Sequence, residues 1–176
     1  MNANVVRLIL ATIAAAILVI AAAFFLFPIR PEIGGPPGLL FWTIATLAAS
    51  ALPVRLPRGV VVSVASAPIL ASMLLGGPTA AALVSLIGTT DEREIRGRVP
   101  WYGTVYNHAA AATSAAVAGI LYDSARSTAL AVGLPAEFVL ALFASAVFLI
   151  MTWAFAVAAV AIRTATSMRV VWVQDI

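Results

Sequence analysis

Apolar residues fall into long runs separated by short polar or Gly/Pro-rich breaks. The first run covers residues 5–27 and is interrupted only by Arg7 and Thr12. Pro28, Pro31 and Gly34-Gly35-Pro36-Pro37 follow it and break a helix. Further runs cover residues 39–54, 59–75, 79–90, 104–122 and 136–162, with a tight turn expected at Gly76-Gly77-Pro78. Continuous runs, rather than alternating segments of about ten residues, predict membrane helices and not barrel strands. The fourth run is the short one. Its twelve residues, at ~1.5 Å each, cover less than about two thirds of a ~30 Å hydrocarbon core. It is expected either to continue as helix into the charged segment or to be re-entrant. Residues 123–135 read as a connection with room for a short interfacial helix.

Composition selects the solvent. Of 176 residues, 63% are hydrophobic and 10% charged, and the mean hydropathy is +1.08. A soluble domain carries about a quarter charged residues, so too little polar surface exists to coat a globule in water. The expectation is an all-α, polytopic integral membrane bundle of six helices over residues 1–162. Residues 163–176 form a cytoplasmic or interfacial tail that stops without a cap, as in a truncated piece or a stand-alone relative. Arg7 and Ala21-Ala22-Ala23 imitate a signal peptide, but the run over 5–27 exceeds the usual apolar stretch of roughly 7–15 residues. The first segment is therefore expected to be retained.

Charge orients the bundle. All ten basic residues are arginine, which we ascribe to codon usage. With six spans and an inside N-terminus, Arg7, Arg55, Arg58, Arg93, Arg96, Arg98, Arg163 and Arg169 face the cytoplasm, against Arg30 and Arg126 outside. This satisfies the positive-inside rule and places both termini in the cytoplasm of a cell with this chain in its inner (plasma) membrane. The net charge of +3 reports topology, not nucleic-acid binding. The lipid bilayer is the first partner.

Helices in lipid associate through close packing of small residues. Ala11 and Ala15 form one small-xxx-small pair, Ala115 and Gly119 another. They read either as a docking face for a partner membrane subunit or as internal packing. The abundance of alanine throughout favours the latter.

Candidate chemistry is sparse. No cysteine, phosphate-binding glycine loop, HExxH motif or Ser-His-Asp pattern occurs, so no catalytic residue, metal ligand or cofactor is assigned. Asn107 and His108, the single histidine, follow Trp101 and Tyr106 at the start of the fifth span. They suit a ligand contact or proton relay, or an interfacial aromatic belt with Asn107 as cap. Ser63 and Ser66 suit the lining of a polar pocket, or bond their own helix. Glu32, Asp123, Arg126 and Glu137 fall on the outer side, as an entrance rim or a solvated loop. Asp91–Arg98 holds three acids and three bases and reads as a charged loop or helix extension.

One stretch carries a resemblance. Leu56-Pro57-Arg58-Gly59-Val60-Val61-Val62-Ser63, Leu74-Leu75-Gly76-Gly77-Pro78, Ala80 to Gly88, Pro100-Trp101-Tyr102 and Tyr106-Asn107-His108-Ala109 resemble the N-terminal membrane region of bacterial HD-GYP and GGDEF signalling proteins. The pattern is also similar to the S-components of energy-coupling-factor (ECF) vitamin transporters, which are six-helix bundles. It covers roughly residues 56–122. Thr89-Thr90 stand where an acidic residue often follows the glycine of the fourth helix, and no HD-GYP or GGDEF domain is present. The resemblance implies an S-component-like fold and a non-enzymatic sensory module that binds a small molecule and signals to a cytoplasmic effector. Two other functions follow the same residues: a substrate-binding transporter subunit, or an accessory subunit of a larger membrane complex.

Overall fold

The computed structural model describes residues 3–52, 54–55, 61–62, 64–90 and 92–164. Ser63 and the tail beyond Thr164 lie outside the described residues. The described residues form six helices: α1 (Ala3–Leu26), α2 (Gly35–Ala51), α3 (Ser66–Gly88), the one-turn α4 (Glu92–Ile95), α5 (Trp101–Val132) and α6 (Leu134–Thr164). A 3-10 turn at Pro31–Ile33 precedes α2, and a two-residue antiparallel ladder joins β1 (Val54–Arg55) to β2 (Val61–Val62). These six helices are not the six expected spans. The third and fourth runs both fall in α3, and the sixth helix is the short α4. Among the described residues, α1, α3 and α6 are long and apolar enough to cross a membrane.

Several boundaries differ from expectation for identifiable reasons. The glycine-proline run does not simply interrupt the chain. Gly34 adopts φ 87° and the two prolines open the first turn of α2, where a missing N–H costs nothing. The third run was expected to be helical from residue 59, yet Val61 and Val62 pair with Arg55 and Val54, as β-branched residues favour. The connection expected over 123–135 is instead helical through Val132, with Gly133 (φ 118°) as the single link to α6. Ser124–Val132 contains no glycine or proline to end α5, and its charged residues find partners, described below.

The two halves of α3 fold back on one another. Gly77 adopts φ 82°, ψ −174°, a conformation outside the helix, and Pro78 cannot donate the next helical bond. Gly76 lies against Ile33 at the entrance to α2, where an added Cβ would meet Ile33 Cδ1 at 2.6 Å. Gly88 lies against Thr46 and accepts a 2.9 Å hydrogen bond from Ser50 Oγ near the end of α2. Residues 78–88 therefore run alongside α2 and in its direction. The β1–β2 ladder brings the start of α3 back toward the end of α2, so residues 66–76 run the opposite way. A straight helix of 23 residues would hold Ser66 and Gly88 about 33 Å apart, a separation the ladder does not allow.

The helices bury small side chains and expose large ones. α5 touches α1, α3 and α6, while α2 leans on α3. Ala112, Ser114, Ala115, Ala116 and Ala118 of α5 are fully enclosed, and an added Cβ on Gly119 would meet Pro78 Cα at 2.6 Å. Leu18, Phe24 and Phe25 of α1, with Phe138, Phe143 and Ile150 of α6, point outward. A water-soluble bundle does the reverse; this arrangement leaves apolar bulk for an apolar solvent. On α1 the packed stripe is Ile9, Thr12, Ala16 and Ala23. Ala11 is exposed and Ala15 only half-buried, so the expected Ala11–Ala15 pair lies beside the contact rather than in it. Ala115 and Gly119 lie inside the bundle.

The Gly119–Pro78 approach leaves no room for a branched side chain. Gly119→Val is expected to destabilise the bundle by about 1–3 kcal/mol through overpacking, while Ala11→Val, on an exposed face, should stay within ~0.5 kcal/mol of the parent. Thermal unfolding of the two variants in one detergent checks this; equal midpoints would contradict the packing described.

Candidate functional site

Breaking a helix leaves its last four carbonyls without intrahelical donors. At the end of residues 66–76 these are the carbonyls of Met73, Leu74, Leu75 and Gly76, and Arg30 meets all four. Its Nη2 donates to Met73 O (3.1 Å) and Leu74 O (2.5 Å), its Nε to Leu75 O (3.4 Å) and its backbone N–H to Gly76 O (3.1 Å). Arg30 can do this because Pro28 and Pro31 flank it in extended chain between α1 and the 3-10 turn. A guanidinium suits the task, since its planar fork spreads five donors. A cation at the negative end of a helix is also favoured by the dipole.

Arg30 Nη1 is ion-paired with Asp123, and both side chains are mostly buried. The guanidinium carbon lies 5.8 Å from the centre of the Tyr122 ring. Tyr122 Oη donates to Glu137 Oε1 (3.1 Å), and Arg126 sits 3.8 Å from both Glu32 and Glu137. The helical extension of α5 beyond Tyr122 thus delivers Asp123 and Arg126 to one cluster, which combines two cations with three carboxylates.

The far end of residues 78–88 is capped differently. Its last four carbonyls are those of Ser85, Leu86, Ile87 and Gly88. Thr89 Oγ1 donates to Ser85 O (2.8 Å), Thr90 Oγ1 to Ile87 O (2.9 Å) and Ser50 Oγ to Gly88 O (2.9 Å). His108 Nδ1 lies 2.5 Å from Leu86 O, and its Nε2 lies 2.9 Å from Glu94 Oε2. Asn107 Nδ2 donates to Glu94 Oε1 (3.4 Å). Glu94, on α4, keeps only 6% of its side chain exposed and His108 14%. Both imidazole nitrogens are thereby engaged, one with α3 and one with α4, so the ring acts as a connector between three elements.

Of the residues selected from sequence, the structure gathers Asn107 and His108 at this second cluster. Tyr106 turns away, donating to Phe155 O at 2.7 Å on α6. Trp101 is largely exposed at the first turn of α5, and Ser66 is half-buried at the start of α3; neither contacts the histidine in the arrangement described. Glu94 was hidden within a run of charges, and Arg30 passed for an outer topology marker. A signal for Arg30 did exist. A Gly-Gly-Pro break in an apolar run strands carbonyls that need a donor, and the sequence offers one arginine between the first two spans.

No protein-family model matches the chain, and no curated protein or solved structure matches it either.

Arg30 is the test of the cluster it forms with Asp123. Arg30→Met should cost at least about 3 kcal/mol, because it strands Asp123 as well as the carbonyls. Arg30→Lys should recover little, since one ammonium cannot span three carbonyls. Arg30→Met combined with Asp123→Asn should be more stable than Arg30→Met alone. Denaturation in mild detergent measures all three, and a neutral Arg30→Met would contradict the capping role.

Proposed function

We propose that the chain is a non-enzymatic sensory or ligand-binding module embedded in the inner membrane, with both termini in the cytoplasm. Six apolar segments would cross or enter the bilayer: α1, α2, the two halves of α3, α5 and α6. The arginine distribution supports this orientation, with Arg7, Arg93, Arg96 and Arg98 on the inner side and Arg30 and Arg126 on the outer. The halves of α3 would form a re-entrant pair, which membrane proteins tolerate where protein surrounds the broken backbone. Burial of residues 76–82 supports that surrounding.

The observation that carries the reading is the polar cluster at each end of residues 78–88. The start of this half-helix adjoins the ionic cluster of Arg30 and Asp123; its end is held by His108, which also holds α4. A small polar or amphipathic molecule that competes for the outer ionic contacts would bias the position of the half-helix, and α4 would present the change to a cytoplasmic effector. Such coupling requires that the ligand bind two packings of the bundle with different affinity. Broken helices are frequent at the ligand sites of membrane transporters, which agrees with the resemblance to sensory and S-component regions. The burial of Ala115 and Gly119 inside the bundle gives no support to a small-residue docking face for a transporter partner.

The absence of cysteine makes the topology directly testable. Cysteine placed at exposed Ile95 should react with a membrane-impermeant maleimide only after the membrane is opened, and cysteine at exposed Ser127 in intact cells. Native mass spectrometry from mild detergent should then show a small molecule that is lost in Arg126→Gln. Labelling of the Ile95→Cys variant from outside would overturn the orientation; a stoichiometric protein subunit in place of a small molecule would overturn the function.

A further inference from the structure

We propose that His108 is a proton-operated clamp that ties α3, α4 and α5 together only while its ring carries two protons. The inference stands on hydrogen-bond geometry and does not depend on what the module binds. His108 Nδ1 faces the carbonyl oxygen of Leu86 at 2.5 Å, and Nε2 faces a carboxylate oxygen of Glu94 at 2.9 Å. Both partners are acceptors. A neutral imidazole has one N–H and one lone pair, so it satisfies one acceptor and sets its lone pair against the other. Only the imidazolium, or a neutral ring facing a protonated Glu94, makes both contacts. One proton beyond the neutral ring and ionised carboxylate is therefore bound wherever this arrangement exists.

The surroundings agree with a held proton. α4 presents Glu94, with Glu92 and Arg93 beside it, and Glu92 is ion-paired with Arg96. α3 presents the Leu86 carbonyl at the negative end of a half-helix, which favours a cation. α5 presents Asn107, whose amide donates to Glu94 Oε1 (3.4 Å) and leaves Oε2 for the ring. The outer ionic groups adjoin the other end of residues 78–88, about 12 Å or more away along the half-helix. The linkage has one sign. The clamp binds a proton that the open form lacks, so lower pH favours the closed form and higher pH the open one. Opening must break the contact of the ring with Glu94, loosening α4, or the contact with Leu86, uncapping α3.

Glu94→Gln is predicted to invert that sign. The amide oxygen takes the place that accepts from Asn107, and the amide N–H then faces Nε2. A neutral ring with Nδ1–H satisfies both neighbours in this variant, while an imidazolium faces an N–H donor. The experiment is hydrogen exchange of the full chain in nanodiscs, corrected for intrinsic rate, at the α4 amides of Arg96, Gly97 and Arg98, which donate to Glu92, Glu94 and Arg93. Protection in the parent should fall at least tenfold from acid to alkaline pH, and protection in Glu94→Gln should rise over the same interval. His108 is the only histidine, so its ring nitrogens give unambiguous ¹⁵N signals in the parent. The ring should lose its second proton at the pH where α4 protection falls. Protection that ignores pH, responds alike in parent and variant, or changes at a pH remote from the ring's titration would overturn the clamp.

Discussion

An unpaired backbone carbonyl in an apolar environment costs several kcal/mol, and the break within α3 together with its C-terminal end leaves eight of them. Their satisfaction constrains much of the remaining structure. Arg30 takes the four at the tip, so the chain between α1 and α2 must pass beside Gly76. A buried guanidinium requires a counter-charge, so α5 must still be helical at Asp123 to supply one. The four carbonyls at the other end need donors from α2, α5 and the residues just past the helix, which fixes how far α2 extends and where His108 sits. Thr79 adds a further tie, donating from the second half of α3 to Phe27 O at 2.7 Å. The order of helices around α3 follows from where donors are required.

Packing then follows from the same hairpin. Two antiparallel half-helices occupy a narrow space between α2 and α5, and only residues without bulk admit them. Gly88 meets Thr46, Gly76 meets Ile33 and Gly119 meets Pro78, each so closely that a Cβ would intrude. Apolar surfaces gain nothing from each other over lipid, so attraction must come from contact density and polar bonds. That explains why most of the enclosed side chains are alanine, serine and threonine, with larger ones such as Met73 and Val84 among them. Most of these hydroxyls, such as those of Ser72, Thr113 and Ser114, donate to carbonyls of their own helix and so impose no direction on a neighbour. Two hydroxyls that cross between elements, those of Ser50 and Thr79, sit at the two ends of residues 78–88.

The apolar runs were legible because lipid-scale hydrophobicity is a property of local sequence. So was the break at Gly76-Gly77-Pro78, where backbone chemistry alone ends the helix. The start of α3 was not legible from apolarity, since Val61 and Val62 suit strand and span equally; β-branching at the foot of a hairpin decided it. The continuation of α5 through Asp123 and Arg126 was missed for a related reason. Charges look like a loop until their partners are known, and Arg30, Glu32 and Glu137 come from three other segments. His108 and Asn107 stood out as polar groups at the edge of an apolar run, but nothing local to them indicates Glu94, thirteen and fourteen residues earlier and across a turn. Long-range pairing is what a single sequence conceals most completely.

The two ends of the hairpin are built to different standards of permanence. At the tip, a guanidinium that stays charged across the physiological range is locked to a carboxylate and to four carbonyls of one half-helix. Moving it would expose several polar groups at once unless a competing group replaced those contacts. At the open end, the same number of carbonyls is shared among three hydroxyls and an imidazole from separate segments. Each hydroxyl can rotate to another acceptor at small cost, and α4 is a single turn whose attachments include a side-chain contact with His108. Contacts are thus concentrated on one side chain at the start of residues 78–88 and divided among several at their end. Displacing the end beside α4 therefore breaks fewer contacts to any single group than displacing the tip.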